Sequence, residues 1–135
     1  MANFIVHTTL PTFAFAVGCS LGGVIVTGRY FNNIPRDERN AILVHERHHL
    51  KHSHALKRIL CAMQPWSWNY LGLMALCHDQ EYEADLATIE YGLGNALCRF
   101  LTRFPSGTDL PVWHPTNEQR LCKLREALRS YVDGQ

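Results

Sequence analysis

The sequence predicts an α+β fold, a small antiparallel β-sheet or hairpin packed on a histidine-bearing helix with two or three further helices around it. Three observations carry that expectation. Residues 13–30 hold two β-prone runs, "FAFAV" and "VIVTGRY", parted by a glycine-containing connection, which is a hairpin signal. The stretch that follows changes to long segments of mixed polar and apolar residues with helix-start chemistry. The C-terminal "HPTNEQRLCKLREALRSYV" places Leu121, Leu124, Leu128 and Val132 at helical spacing behind a capping-box pair, Thr116 and Gln119.

Taken in order, the hairpin occupies residues 13–30. A helix over 35–53 follows: Asn33 suits an N-cap, Pro35 the first turn, and Asp37 and Glu38 the positive end of the helix dipole. Pro65 breaks any helix begun at His54. A further helix covers 68–91, in one or two pieces, until Gly92 and Gly94 loosen it. "RFPSGTDLPVW" is rich in breakers and reads as a loop, and the closing amphipathic helix spans 115–132. With 135 residues, 47% hydrophobic and 19% charged, the chain fits one domain, 1–135, with its own core.

Composition narrows the functional classes. Thirteen basic against twelve acidic side chains leave a net charge of +1 with no long run of one sign, so nucleic acid is not an expected partner. The five cysteines, Cys19, Cys61, Cys77, Cys98 and Cys122, are odd in number and contain no Cys-x-x-Cys pair. That favours a reducing compartment, hence the cytoplasm, over a disulfide framework. Two apolar stretches raise a membrane reading. The first has no Lys or Arg before Arg29 and is interrupted by glycines and a proline, which argues against a signal peptide. The second, "ILCAMQPWSWNYLGLMALC" at 59–77, carries Gln64, Pro65, Ser67 and Asn69 in its middle, so a span is not favoured. Its Trp66, Trp68 and Tyr70 suit core or interface packing as well as a substrate-facing or membrane-facing patch.

Chemistry concentrates in "HERHH", residues 45–49, which contains His-Glu-x-x-His through His45, Glu46 and His49. On a helix, residues four apart share a face, so His45 and His49 offer two imidazole nitrogens to one metal with Glu46 beside them. Catalytic zinc uses three protein ligands and an open position for a water whose pKa the metal lowers; a nearby carboxylate, here Glu46, takes its proton. Because six of the eight histidines fall between 45 and 78, the spacing needs independent support. "CHDQEYEADLA" supplies it: Glu81 is a candidate third ligand, and Asp85, one turn later, can then accept the free ring N–H of a liganding histidine. Glu83 competes for the ligand role. His48, His52, His54 and His78 read as surface or supporting groups, and no spacing sets the Cys77 sulfur at the metal.

"HERHH" followed by "EYEAD", with "AFAVG…GGVIVTGRY" before and "HPTNEQRL" after, resembles the gluzincin metallopeptidases. The resemblance is to the prenyl-protein and heat-shock membrane zinc peptidases and their soluble minigluzincin relatives. "MQPWSWNYLGLMALCHDQEYEAD" is also similar to the peptidase domain of antibiotic-sensing receptor metallopeptidases. The resemblance covers residues 13–125 and implies a zincin-like fold and one Zn²⁺ per chain on His45, His49 and Glu81. It favours Glu81 over Glu83 because only Glu81 has Asp85 at the family spacing. It further implies Glu46 as general base, His114 as oxyanion stabiliser and a peptide or protein substrate paired with the edge strand over Phe13, Ala14, Phe15 and Ala16. This chain departs from the pattern in two ways: Phe13 stands where relatives often carry Asn before Ala-Phe-Ala, and their multi-span membrane scaffold is missing.

The expected function is therefore a zinc-dependent endopeptidase acting through a zinc-activated water with Glu46 as base. The alternative is a latent or catalytically silent zinc-binding domain that engages a peptide or protein partner. In its latent form, residues 1–12 or the tail after Leu128 fill the cleft. An intact Glu46 argues for turnover, because a purely structural site has no use for a base.

Overall fold

The computed structural model describes residues 4–63, 70–104 and 114–134. Three strands open the chain: β1 (Phe4–His7), β2 (Ala14–Cys19) and β3 (Gly22–Thr27). β2 and β3 form the expected antiparallel hairpin, in register from Ala14↔Thr27 to Cys19↔Gly22. β1 pairs parallel to β3, from Phe4↔Val24 to His7↔Thr27. The sheet is thus mixed, in the order β1-β3-β2, and among the described residues no other strand pairs with the outer edge of β2. Gly18 allows the hairpin to close: its φ is +129°, and a Cβ there would lie 2.5 Å from the Gly22 carbonyl oxygen.

Helix α1 (Arg36–Lys51) packs against β2. It starts later than Asn33 suggests. Ile34 precedes Pro35 and is held extended at φ −108°, ψ 156°, because the proline ring disfavours helical geometry one residue upstream. Phe31–Asn33 therefore make a separate 3₁₀ turn, and Pro35 itself takes the cap position. The buried stripe of α1 runs Glu38, Ala41, Ile42, His45, which is helical periodicity with a polar residue at each end.

Helix α2 (His54–Ala62) follows a sharp reversal at Ser53, whose φ of 52° and ψ of 41° are left-handed. The Ser53 hydroxyl is anchored to the hairpin turn, accepting from the Ser20 N–H at 2.9 Å. Helix α3 (Tyr70–Glu90) is unbroken. It ends on Gly92 at φ +71°, with Gly92 N–H donating to Ile89 O and Leu93 N–H to Thr88 O at 3.0 and 2.9 Å. This paired closure is the Schellman arrangement. Gly92 is thus a helix end, and Gly94 opens α4 (Gly94–Arg103), a helix the sequence reading did not separate. Helix α5 (Asn117–Asp133) carries the anticipated capping box, with Gln119 N–H donating to Thr116 Oγ1 at 3.1 Å and Thr116 N–H to Gln119 Oε1 at 2.9 Å.

The core lies between α1, α4 and α5, where Ala41, Ile42, Leu97, Phe100, Leu101 and Leu124 meet beneath Phe31 and Ile34. Trp66 and Trp68, the side chain of Tyr70 and residues 105–113, for which the sequence predicts a loop, lie outside the described residues. Within the described residues no helix is long and apolar enough to cross a membrane.

Ion pairs of Arg99 with Asp37 and of Arg103 with Glu38 tie α1 to α4, and the second is the more buried. Glu38 is fully buried, and Arg103 grips it with both guanidinium nitrogens, Nη1 to Oε1 at 2.9 Å and Nη2 to Oε2. Breaking such a pair from the exposed side strands a buried carboxylate. Arg103→Leu is expected to lower unfolding free energy by about 3 kcal/mol, measured by urea denaturation. A loss below about 1 kcal/mol would show that Glu38 finds water or another partner.

Candidate metal centre

Two helices bring the anticipated ligands together. His45 and His49 sit one turn apart in the last half of α1, and Glu81 faces them from the middle of α3. His45 Nε2 lies 3.2 Å from Glu81 Oε2, His49 Nε2 lies 3.3 Å from Glu81 Oε1, and the two Nε2 atoms are 3.0 Å apart. Ligands on tetrahedral zinc, with bonds of about 2.0–2.2 Å, sit roughly 3.3 Å from one another. The two ring nitrogens and the Glu81 carboxylate, which turns Oε2 to His45 and Oε1 to His49, are therefore spaced to fit a common tetrahedral ion.

The state of the rings agrees with that fit. Asp85 Oδ1 lies 2.8 Å from His45 Nδ1; a carboxylate can only accept, so Nδ1 carries the hydrogen and a neutral His45 presents its lone pair at Nε2. Asp85 is itself clamped by Arg120, whose Nε and Nη2 donate to Oδ2 and Oδ1 at 2.7 and 2.6 Å. Burial works to raise the Asp85 carboxyl, but Arg120 and His45 outweigh it and hold it below the usual carboxylate range. For Glu81, too, burial is overcome, by hydrogen bonds with His114, His45 and His49 that hold it low. Burial lowers His45, yet Asp85 and Glu81 raise it to about 10. The two carboxylates thus draw positive charge to this point, for which a proton and a metal ion compete.

Glu46 lies in the same cleft, a cavity of about 330 Å³ bordered by Phe13, Ala14, His45, Glu81, Phe100 and His114 among others. Loss of water around its carboxyl raises it to about 7, opposed chiefly by the charge of His45 and also by a hydrogen bond from the Ala16 backbone. Ala16 is on β2, so the strand and the carboxylate face each other directly. His114 is half exposed, at 53%, with Nδ1 3.5 Å from Glu81 Oε1. Phe13 points into an aromatic cluster, edge-on to Phe100 and Phe104 at 4.9 Å each, and Phe15 is turned to solvent.

Glu83, the competing carboxylate, sits away from this group, with Oε2 3.4 Å from His54 Nε2 and 3.7 Å from His48 Nε2. The buried Cys77 belongs to neither histidine–glutamate cluster. Two side chains at the centre, Arg120 and Arg58, escaped the sequence reading, which took a third, His54, only as a surface or supporting group. Arg120 was visible in "HPTNEQRL", and a buried aspartate that orients a histidine calls for a cation behind it. Arg58, from α2, donates to Glu81 Oε1 at 3.1 Å and to Gln80 Oε1 at 2.6 Å. His54 meets His49 through their Nδ1 atoms at 2.8 Å. No spacing rule announces these last two, since both depend on the reversal at Ser53.

An α+β fold that sets two imidazoles of one helix against a carboxylate of another, with a further carboxyl beside them under a strand edge, is the constellation of a metallopeptidase. A family model described as peptidase family M48 matches residues 4–74, just over half of the chain. The chain belongs to this family of zinc metallopeptidases. The matched span contains the sheet, α1 and α2, and stops before Glu81, Asp85 and His114. No curated protein and no solved structure matches the chain.

Two outcomes follow for the clamp on His45. Arg120→Leu is expected to weaken zinc affinity by about 10–100-fold, read by competition with a chromophoric chelator; unchanged affinity would mean Asp85 orients His45 without it. Because the folded-state pKa of Asp85 is depressed, its stabilisation is complete above the unfolded value near 3.9 and is lost as pH falls through the lower folded value. Urea midpoints measured across that acid range should fall in the wild type and fall less in Asp85→Asn.

Proposed function

We propose that this chain is a zinc-dependent endopeptidase whose centre is held by one minimal domain, with His45, His49 and Glu81 binding the metal and Glu46 acting as general base. The observation that carries the reading is the convergence of two imidazole nitrogens and the Glu81 carboxylate at 3.0–3.3 Å beside the half-buried Glu46 and an edge of β2 that no strand covers among the described residues. Zinc, when bound, supplies a Lewis acid that polarises the scissile carbonyl and acidifies water. The remaining work belongs to the chain.

β2 presents the substrate platform. Phe13 O accepts from Gly28 N–H at 2.8 Å, so in the alternation of an antiparallel strand residues 13, 15 and 17 turn their backbone groups toward β3. Ala14 and Ala16 then face the cleft, where an extended peptide can pair with them. Phe13 contributes through its ring, as a wall of the cleft beside that edge. Glu46 stands beneath, its proton affinity raised by burial toward neutral pH, which suits a group that takes a proton from water and returns it to the leaving amine. His114, half exposed at the mouth, is placed to donate to the oxygen that gains charge when the carbonyl is attacked. Asp85 and Arg120 keep the His45 ring from turning.

The decisive experiment pairs metal content with cleavage of an unstructured protein. Wild type should hold zinc and cleave, Glu81→Ala should lose the metal, and Glu46→Gln should keep it while losing at least about 10²-fold in rate. Cleavage retained by Glu46→Gln would overturn the assignment of the base. His114→Ala is expected to lower kcat by about 10²–10³-fold with little change in KM. Since Glu46 must be ionised to act, activity should decline as pH falls through its pKa. With positive charge gathered at the centre, the acid limb of kcat/KM is expected at or below about pH 7; a limb well above it would exclude Glu46.

A further inference from the structure

Behind the centre lies a second cluster that the mechanism leaves unused. His48 on α1, His54 at the start of α2 and Glu83 on α3 bring one donor atom each to within 4.8 Å of one another. Glu83 Oε2 is 3.7 Å from His48 Nε2 and 3.4 Å from His54 Nε2. At these separations the hydrogen bonds are poor, but the spacing is close to the ligand–ligand distance of roughly 3.3 Å on a small tetrahedral ion. His48 Nε2 is buried and has no hydrogen-bond partner among the described residues. The His52 ring lies 4.1 Å from that of His48, a further imidazole at hand. Glu83 is 60% exposed, and His48, His52 and Glu83 border an open cavity of about 890 Å³, so the cluster is reachable from solvent.

The backbone is bent to make this cluster. Ser53 is the one non-glycine residue with positive φ among those described, and its left-handed turn folds His54 back over α1. The same turn sets His54 Nδ1 2.8 Å from His49 Nδ1, which couples the two groups of ligands.

We propose that His48, His54 and Glu83 form a second divalent-cation site, coupled to the first through the His49–His54 hydrogen bond so that filling it restrains the peptidase. The coupling, though not the site, rests on the reading of His45, His49 and Glu81 as the metal centre. When His49 offers its Nε2 lone pair to that centre, its Nδ1 carries the hydrogen and donates to His54 Nδ1. His54 then bears its own hydrogen on Nε2, facing Glu83. A cation that binds His54 Nε2 needs that lone pair. The N–H bond there breaks, the proton passes through solvent to Nδ1, and no net proton is lost. Two N–H groups then face each other, so the bond that orients His49 is lost. The two sites are antagonistic by tautomer: the second fills more weakly than the first, and its filling loosens a ligand of the first.

The test is titration of the metal-stripped full chain with Co²⁺, followed by visible absorption and ion uptake, and in parallel with Zn²⁺, followed by cleavage. Wild type should take up two ions, the second more weakly, with cleavage rising on the first and falling on the second. Glu83→Gln, altering an exposed residue, and His48→Gln should each take up only the first ion and escape the fall in cleavage. A single ion in the wild type, or two in both variants, overturns the proposal. The two readings fail separately. Uptake of two ions without cleavage at any loading, with Glu83→Gln removing one of them, would refute the peptidase and its restraint but keep the second site. Cleavage that only rises with zinc would refute the restraint, and with a single ion taken up the second site as well, while leaving the peptidase intact.

Discussion

Everything at the centre of this molecule depends on the carboxylate of Asp85. It receives His45 Nδ1–H from α1 and two donors of Arg120 from α5 while standing on α3, so three helices are registered against each other by one side chain. A buried carboxylate with those donors satisfied is stable where it stands; without Arg120 it becomes an uncompensated charge in the protein interior, and without His45 it loses a hydrogen-bond donor it cannot replace with water. That asymmetry gives the contact its directing power. The ligand ring cannot rotate and α5 cannot slide without exposing a charge to low dielectric.

The rest of the fold is arranged around this polar seam. The buried side of α3 reads Cys77, Gln80, Glu81, Ala84, Asp85, Thr88 and Ile89, polar over most of its length, and most of the apolar core comes from α1, α4 and α5 around Leu97, Leu101 and Leu124, with Ile89 joining it from α3. The apolar cluster cannot by itself fix the helices to the precision a metal site needs, because greasy contacts have little direction. The ionic grip of Arg103 on Glu38 supplies direction at the other end of α1. Between these two anchors the stripe Ala41–Ile42–His45 is held on the line from core to centre, and the Phe13–Phe100–Phe104 rings close the cleft wall.

What could be read from the chain and what could not divide along physical lines. The β2–β3 hairpin, the α1 and α3 helices and the capping box of α5 rest on local signals, and the structure carries each of them. Spacing put His45 and His49 on one face of α1 and offered Glu81 and Glu83 on α3; the preference for Glu81 came from the family resemblance, and it is Glu81 whose carboxylate lies against both imidazoles. β1 escaped notice because four residues, "FIVH", carry little pattern and a parallel partner is set by tertiary pairing. α4 was hidden by its neighbours: Gly92 and Gly94 looked like one weak point, whereas one closes a helix and the other opens the next. Asn33 failed as a cap since proline governs the residue before it more strongly than a side-chain oxygen governs a helix start. Arg58 and His54 depend on where α2 lies, and nothing short of the fold says that.

The reversal at Ser53 is where local strain and site architecture meet. A left-handed non-glycine residue is disfavoured by sterics, and a glycine or asparagine would adopt it more readily. Here the turn is held from outside, by the Ser53 hydroxyl on the hairpin at Ser20 and by α2 packed on α3 through Arg58, Gln80 and the His54 carbonyl. The strain is therefore offset by contacts that also deliver Arg58 to Glu81 and His54 to His49. With α2 continuing straight from α1, the centre would keep His45, His49, Glu81 and Asp85, but both His49 and Glu81 would lose a neighbour. The bend makes the surroundings of the proposed ligands a property of the chain's path, which explains why the motif alone describes only the innermost part of the site.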